Sequence, residues 1–250
     1  MTPALSVRGL TKSFDALKVS DGISFDVAWG ELHAIIGPNG AGKTTLIHQL
    51  SGSLAPDAGR ILLGGHDITR LSMAARARRG LARSFQITSI LAGLTALENV
   101  ALAVQARSGS SFRFLRQVAR ESALNDQAAE ALAAAGLAGA EDRSAGTLSH
   151  GEKRQLEIAI ALAMQPKVLL LDEPLAGTGH RESAALLDLI AGLKGRLSIV
   201  LIEHDMEAVF ALADRISVLV YGRLIATGTP DAIRADAQVR AAYLGDEEGA

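Results

Sequence analysis

Residues 37–45 read Gly-Pro-Asn-Gly-Ala-Gly-Lys-Thr-Thr, which matches the pattern G-x-x-x-x-G-K-[ST] of a phosphate-binding loop. An apolar, strand-like run at residues 32–36 precedes the loop, and a helix-like run at residues 44–50 follows it. The pattern requires this strand–loop–helix order, which a glycine-rich turn without a ligand would not need. The stretch therefore predicts an α/β fold that binds a nucleoside triphosphate.

The residues of this loop have distinct roles in holding phosphates. Glycines let the backbone curl so that successive N–H groups point at phosphate oxygens, and the following helix adds its positive N-terminal end. Lys43 is expected to bring a charge to the β- and γ-phosphates, and the Thr44 hydroxyl to ligate Mg²⁺. The predicted nucleotide-binding set in this loop is Gly37, Pro38, Asn39, Gly40, Ala41, Gly42, Lys43, Thr44 and Thr45.

Composition limits the classes of function. The 250 residues suit one large domain, or a core with a smaller subdomain. A net charge of -2 implies no strong attraction to nucleic acid, and none is expected as a partner. The absence of cysteine excludes disulfides, cysteine-based zinc sites and thiol catalysis. With no signal-like start and no apolar run near ~20 residues, we expect a soluble protein, or one that associates with membranes only through partners.

Three regions of different character follow one another along the chain. Alternating apolar residues at 5–8 and 23–27 predict antiparallel strands, and residues 60–63 predict another strand before a Gly-Gly turn. From about residue 71 to 165, strand signals vanish and helical patterns dominate. We assign approximately residues 87–165 as a helical subdomain inserted into the nucleotide-binding core of a single domain that spans residues 1–250.

The last third of the chain predicts a parallel sheet. Short, wholly apolar runs at residues 168–171 and 198–202 alternate with helical runs at 181–193 and 206–213. A terminal hairpin is expected at residues 216–226. The predicted fold class is α/β: a P-loop NTPase core with a mixed sheet, an N-terminal antiparallel β subdomain and an inserted α-helical subdomain.

Four arginines cluster in the helical region. The pattern favours a solvated helix face over a partner-docking surface for Arg76, Arg78, Arg79 and Arg83.

Two carboxylates follow the apolar run at residues 168–171. Asp172 and Glu173 stand where that strand should end, and ligands of open α/β sheets bind at the carboxyl ends of strands. Asp172 would hold Mg²⁺, directly or through water, and Glu173 would polarise an attacking water as a general base. A solvated acidic turn is the alternative, which the nearby phosphate-binding loop disfavours.

Residues 148–152, Leu-Ser-His-Gly-Glu, stand before a helical run at residues 153–164. Ser149, with Glu152 three residues later, fits a helix capping box. A helix N-terminus that carries Gly151 and a hydroxyl also fits an anion site. The two interpretations are compatible.

This segment resembles the signature motif of ATP-binding cassette (ABC) ATPases, usually Leu-Ser-Gly-Gly-Gln, with His150 and Glu152 replacing Gly and Gln. Other motifs of that family appear in family order, and the resemblance covers essentially residues 3–245. Gln86 resembles the glutamine of the Q-loop, His204 the switch histidine, and Phe14 the aromatic residue that stacks on adenine.

The resemblance implies a mechanism in which two cassettes, arranged head to tail, enclose ATP. The catalytic residues would be Glu173, His204, Gln86 and Lys43. Ser149 and Gly151 would contact the γ-phosphate of ATP held by the second chain. Mg²⁺ and water would be organised by Thr44, Gln86 and Asp172.

Subfamily features point to branched-chain amino acid importer ATPases, which residues 81–100, 154–159, 172–177 and 242–245 resemble. The implied partners are a second ABC ATPase subunit, identical or different, two integral membrane permeases and, indirectly, a periplasmic substrate-binding protein. The implied location is the cytoplasmic face of the bacterial plasma membrane. The alternatives are a urea or short-amide importer ATPase and a lipopolysaccharide exporter ATPase. A small-molecule kinase is disfavoured, because it has no use for residues 148–152.

One segment departs from the family pattern. Gly179 stands where the family often has a carboxylate or amide that reaches across the dimer, and His180 follows it. We therefore expect altered communication between the two nucleotide sites, or a contribution from His180.

Overall fold

An antiparallel sheet forms the N-terminal part of the molecule. The structure, a computed structural model, describes residues 1–84, 90–108 and 122–241. Four strands pair in the order β2-β1-β4-β5, and their bounds are β1 Leu5–Phe14, β2 Leu17–Val27, β4 Ala58–Leu63 and β5 His66–Asp67. The strands and the Gly64-Gly65 turn confirm the predicted β subdomain.

A second sheet carries the remaining described strands in the order β10-β9-β3-β8-β7-β6. All neighbours in it are parallel except β9 and β10, which form the predicted hairpin. Its strands are β3 Leu32–Ile36, β6 Leu81–Arg83, β7 Val168–Asp172, β8 Ser198–Ile202, β9 Arg215–Val220 and β10 Arg223–Gly228. The mixed sheet confirms the predicted fold class.

The two faces of this sheet bury alternate side chains of each strand. Leu170 and Val200 pack with helix α1 (Lys43–Ser51) and the antiparallel sheet. Leu169 and Leu201 face the opposite core. That second core is closed by helices α6 (His180–Leu193), α7 (Met206–Leu212), α8 (Pro230–Ala235) and α9 (Ala237–Val239). Because the three strands β3, β7 and β8 are buried on both faces, they read as continuous apolar runs.

Helices dominate the middle of the chain. A third cluster of buried side chains includes Val100, Leu132 and Leu156. The helices there are α2 (Met73–Arg79), α3 (Ala96–Ser108), α4 (Ser122–Ala134) and α5 (His150–Ala163). The limits of the inserted subdomain, approximately residues 87–165, stay a prediction.

Two expectations for this region were wrong. Strand β6 lies at Leu81–Arg83, inside the stretch expected to lack strands, because three residues are too short to leave an alternating pattern. The arginines do not share one solvated face. Arg78 and Arg79 are exposed on α2, but Arg76 is 1% exposed and Arg83 belongs to β6.

Arg76 is buried because it satisfies the end of α1. Its guanidinium donates to the carbonyl oxygens of Gln49 and Leu50 at 2.6 Å each, Thr69 at 2.7 Å and Leu71 at 3.0 Å. The last carbonyls of a helix have no partner within the helix, so a cation there supplies both hydrogen bonds and charge. Burial lowers the pKa of Arg76 to about 10.

Candidate functional site

The loop between β3 and α1 depends on glycine at two close approaches. A Cβ on Gly37 would lie 2.0 Å from the carbonyl oxygen of Leu219. Gly42, the N-cap of α1, has φ 106°, and a Cβ there would lie 2.6 Å from the carbonyl oxygen of Val19. Other residues would force the backbone apart at these points. The central position of β3 and this curled loop present the N-terminus of α1 at the carboxyl edge of the sheet.

Lys43 lies against the loop that it is predicted to serve. Its Nζ donates to the carbonyl oxygens of Gly37 at 2.6 Å and Pro38 at 3.0 Å. The side chain is buried, and this burial lowers the pKa of Lys43, while the negative charges of Glu173 and Asp172 act in the opposite direction. The ammonium of Lys43 and the carboxylates of Asp172 and Glu173 therefore lie within electrostatic range of one another.

Asp172 ends β7 in an ion pair that the sequence does not reveal. Its Oδ2 lies 2.9 Å from Nη2 of Arg83, and both side chains are nearly inaccessible to solvent. Burial and the charge of Arg83 lower the pKa of His48 on α1, and Asp172 acts against them. Because β6 and β7 are neighbours in the sheet, Arg83 balances the buried charge of Asp172 and fixes its orientation.

Glu173 has a strained backbone, with φ of +46° in a residue other than glycine. Its N–H donates to the carbonyl oxygen of Ile202 at 2.9 Å, which ties the end of β7 to the end of β8. Strain of this kind persists where the surroundings impose it and occurs often at functional sites.

Glu203 joins the segments that carry Glu173 and His204. Its carboxylate is 1% exposed. Oε1 accepts from the N–H of Leu175 at 2.9 Å, and Oε2 accepts from the N–H groups of His204 at 3.0 Å and Asp205 at 3.5 Å. Glu173 and His204 thus stand on two loops that one buried carboxylate holds together.

The His204 side chain is exposed and borders a groove of about 670 Å³ between the starts of α6 and α7. Gly179 and His180 line the same groove. The structure therefore places His180 on the same groove as His204. An effect of Gly179 or His180 on communication between two sites stays a prediction.

Ser149 is the N-cap of α5, as predicted. Its Oγ accepts from the N–H of Glu152 at 3.2 Å, and its own N–H donates to Glu152 Oε2 at 2.7 Å, which completes the capping box. Arg143 binds both carboxylate oxygens of Glu152, at 2.5 and 2.9 Å, and this hydrogen bonding lowers the pKa of Glu152. Glu152 thus stabilises the turn that presents the serine.

Glu182, on the first turn of α6, lies on the same helix end. The Ser149 hydroxyl donates to Glu182 Oε1 at 2.8 Å, and the N–H of Gly179 donates to Oε2 at 3.3 Å. These hydrogen bonds, that of Ser149 first, lower the pKa of Glu182. A Cβ on Gly151 would lie 2.7 Å from the Glu182 side chain, so only glycine permits this approach. The sequence gives no signal for the contact, since the partners are 33 residues apart.

The structure separates the predicted site into two groups. Lys43, Asp172, Glu173 and His204 follow the carboxyl ends of β3, β7 and β8, or lie close to them. Within the described ranges, no hydrogen bond joins residues 149–152 to residues 37–45. Phe14 ends β1, is 47% exposed and has Lys12 Nζ 5.7 Å from its ring centre. Gln86 lies outside the described residues.

The oxygen donors near the loop fit Mg²⁺. Thr44 is exposed at the start of α1, and Asp172 lies at the end of β7. Both offer the hard oxygen atoms that this ion prefers. No group of three His, Asp or Glu suited to a metal occurs in the part of the chain that the structure describes. The donor set therefore suits an ion that takes most of its ligands from phosphates and water.

Comparison with known proteins identifies the family. A family model described as ABC transporter matches residues 20–176, which is more than half of the chain. The chain belongs to the ABC transporter family. A second model, described as branched-chain amino acid ATP-binding cassette transporter, matches residues 223–249.

Relatives extend the likeness over the whole ABC chain. The branched-chain amino acid transport ATP-binding protein BraF of Pseudomonas aeruginosa is 38% identical, and the alignment covers 98% of each chain. LivG of Escherichia coli K12, with the same description, is also 38% identical over 98% of each. The lipopolysaccharide export ATP-binding protein LptB of Haemophilus influenzae is 34% identical, over 97% of this chain and 98% of its own length.

A solved structure agrees. The ADP conformation of MJ1267, an ATP-binding cassette of an ABC transporter, matches with a TM-score of 0.86 and 30% identity, over 98% of this chain and all of the other. This chain is therefore a nucleotide-binding ATPase of the ABC transporter family. In residues 1–84, 90–108 and 122–241, no helix is both long and apolar enough to span a bilayer.

Proposed function

We propose that this chain is the ATP-hydrolysing subunit of an importer of branched-chain amino acids. The observation that carries the chemistry is the convergence of Lys43, Asp172, Glu173 and His204 on the carboxyl edge of one sheet. The substrate class is supported by the match of residues 223–249 and by the BraF and LivG relatives.

The phosphate-binding loop and α1 would hold the triphosphate of ATP. Loop N–H groups and the helix N-terminus would face its oxygens, and Lys43 would exchange its bonds to the carbonyls of Gly37 and Pro38 for bonds to phosphate. Exposed Phe14 would stack on adenine. Thr44, Gln86 and Asp172 would hold Mg²⁺, which, when bound, neutralises charge on the phosphates.

Hydrolysis would require a positioned water. Glu173 would accept its proton as general base, and His204 would contact the γ-phosphate. Their common attachment to Glu203 fits this division of roles, because catalysis of phosphoryl transfer is mainly positioning and charge stabilisation.

A second cassette would complete the site. Ser149, Gly151 and the N-terminus of α5 would meet the γ-phosphate of ATP held by the partner chain, in a head-to-tail dimer of identical or related subunits. The separation of residues 149–152 from the phosphate-binding loop within one chain is consistent with this arrangement.

The transport partners follow from the same proposal. The chain would bind two integral membrane permeases at the cytoplasmic face of the bacterial plasma membrane. A periplasmic binding protein would deliver substrate to these permeases. Residues 1–250 would act as one ABC ATPase domain, with approximately residues 87–165 as its inserted helical subdomain.

Uptake measurements test the substrate. In the bacterium that encodes the chain, a chromosomal Glu173→Gln exchange should abolish high-affinity uptake of labelled leucine, isoleucine and valine and leave urea uptake unchanged. The reason is that ATP binding would persist while turnover falls by orders of magnitude. Loss of urea uptake alone would favour a urea importer ATPase, and defective lipopolysaccharide export with normal leucine uptake would favour a lipopolysaccharide exporter ATPase.

A further inference from the structure

Glu182 occupies the anion site at the N-terminus of α5. Its carboxylate accepts a hydrogen bond from the Ser149 hydroxyl at 2.8 Å, and its side chain lies against Gly151. Ser149 and Gly151 are the residues proposed to bind the γ-phosphate in trans. Glu182 also accepts from the N–H of Gly179. A helix N-terminus with a hydroxyl and free N–H groups attracts one anion at a time.

We infer that Glu182 is an internal competitor of the γ-phosphate, and thereby a residue that sets how much ATP the dimer requires. The inference rests on the proposed head-to-tail dimer. Without a partner's nucleotide, the Glu182 carboxylate satisfies the donors of the signature segment. When the partner's ATP arrives, its γ-phosphate takes the same donors, and the carboxylate turns away.

The placement of Glu182 makes this exchange easy. The residue is half-buried on the first turn of α6, and its carboxylate can swing away from Ser149 by rotation about the side-chain bonds without movement of the helix. A γ-phosphate carries more charge and more acceptor oxygens than a carboxylate, and it therefore binds these donors more strongly and displaces Glu182. ADP has no such group, so Glu182 would return after hydrolysis and help to separate the chains.

Dimerisation of the Glu173→Gln chain, in which hydrolysis is suppressed, tests the competition. Light scattering during a titration with ATP and Mg²⁺ gives the ATP concentration at half-maximal dimer. Adding Glu182→Gln removes the charge and keeps the shape, and we expect this concentration to fall by about 5-fold or more, since charged acceptors bind more strongly than neutral ones. Glu182→Asp, whose side chain is too short to reach Ser149, should also lower the ATP concentration at half-maximal dimer. Glu130→Gln, on the exposed side of α4, is the matched control and should leave it unchanged.

The outcomes separate the two levels of the proposal. An unchanged or higher ATP requirement in Glu182→Gln and Glu182→Asp would overturn the competition, while leaving the dimer intact. A parent Glu173→Gln chain that stays monomeric at saturating ATP would instead overturn the head-to-tail dimer, and the role of Glu182 with it.

Discussion

Glu203 is the residue on which the geometry of the catalytic edge depends most. It is buried, and its carboxylate accepts N–H groups from Leu175 on one loop and from His204 and Asp205 on the other. No sequence motif points to Glu203, because its role depends on a contact with backbone 28 residues away rather than on a short spacing. We regard Glu203 as a positioning residue, since its carboxylate holds the backbone of Leu175, His204 and Asp205 and lies 3.7 Å from Nδ1 of His204.

Glu203→Gln is expected to lower kcat for ATP hydrolysis between about 10- and 100-fold, because the amide nitrogen cannot accept a backbone N–H and the loops shift. KM for ATP should stay within about 2-fold, since the phosphate-binding loop is untouched. Steady-state kinetics would check both values, with exposed Glu207→Gln on α7 as the control. A parallel rise in KM would indicate general damage rather than misplacement of Glu173 and His204.

At the level of elements, α1 is fixed at both ends by groups distant in sequence. Gly42 starts the helix close to β2, and Arg76 of α2 binds the carbonyl oxygens of Gln49 and Leu50 in its last turn and ties them to those of Thr69 and Leu71. The stability of the nucleotide-binding helix thus depends on an arginine that composition alone assigns to the surface.

Arg76→Ala should lower the free energy of unfolding by about 3 kcal/mol or more, because several buried carbonyls lose their donor. Arg78→Ala, on the exposed side of the same helix, should change it by less than about 0.5 kcal/mol. Urea denaturation of the two variants and the parent provides the comparison. Equal effects would mean that the cap on α1 contributes little.

The elements that sequence predicts well are those with strong local signals. Residues 32–36 and 198–202 were predicted as strands with the bounds that the structure has, because runs buried on both faces are unbroken and apolar. Strand β6 was missed because its neighbours, not its composition, make it a strand. The capping box at Ser149 was found since both partners lie within four residues.

For the whole molecule, the candidate site shows the same contrast between features with a local sequence signal and features that depend on tertiary contacts. Motifs located the groups that would touch ATP, and of these Lys43, Asp172, Glu173 and His204 lie at or near the carboxyl ends of β3, β7 and β8. The groups that contact those residues come from other segments of the chain, and only the three-dimensional structure identifies them. They are Arg83, Glu182 and Glu203. A pattern with short spacing predicts what binds, but the supports of a site depend on tertiary contacts.

The central claim is that one nucleotide is shared by two chains. Light scattering of Glu173→Gln protein, with ATP and Mg²⁺ or with ADP and Mg²⁺, tests it most directly. We predict a dimer with ATP, a monomer with ADP, and no ATP dimer when Ser149→Phe blocks the end of α5 in a chain whose circular dichroism shows it to be folded. A monomer that binds ATP tightly, or a dimer that is indifferent to Ser149→Phe, would contradict the account.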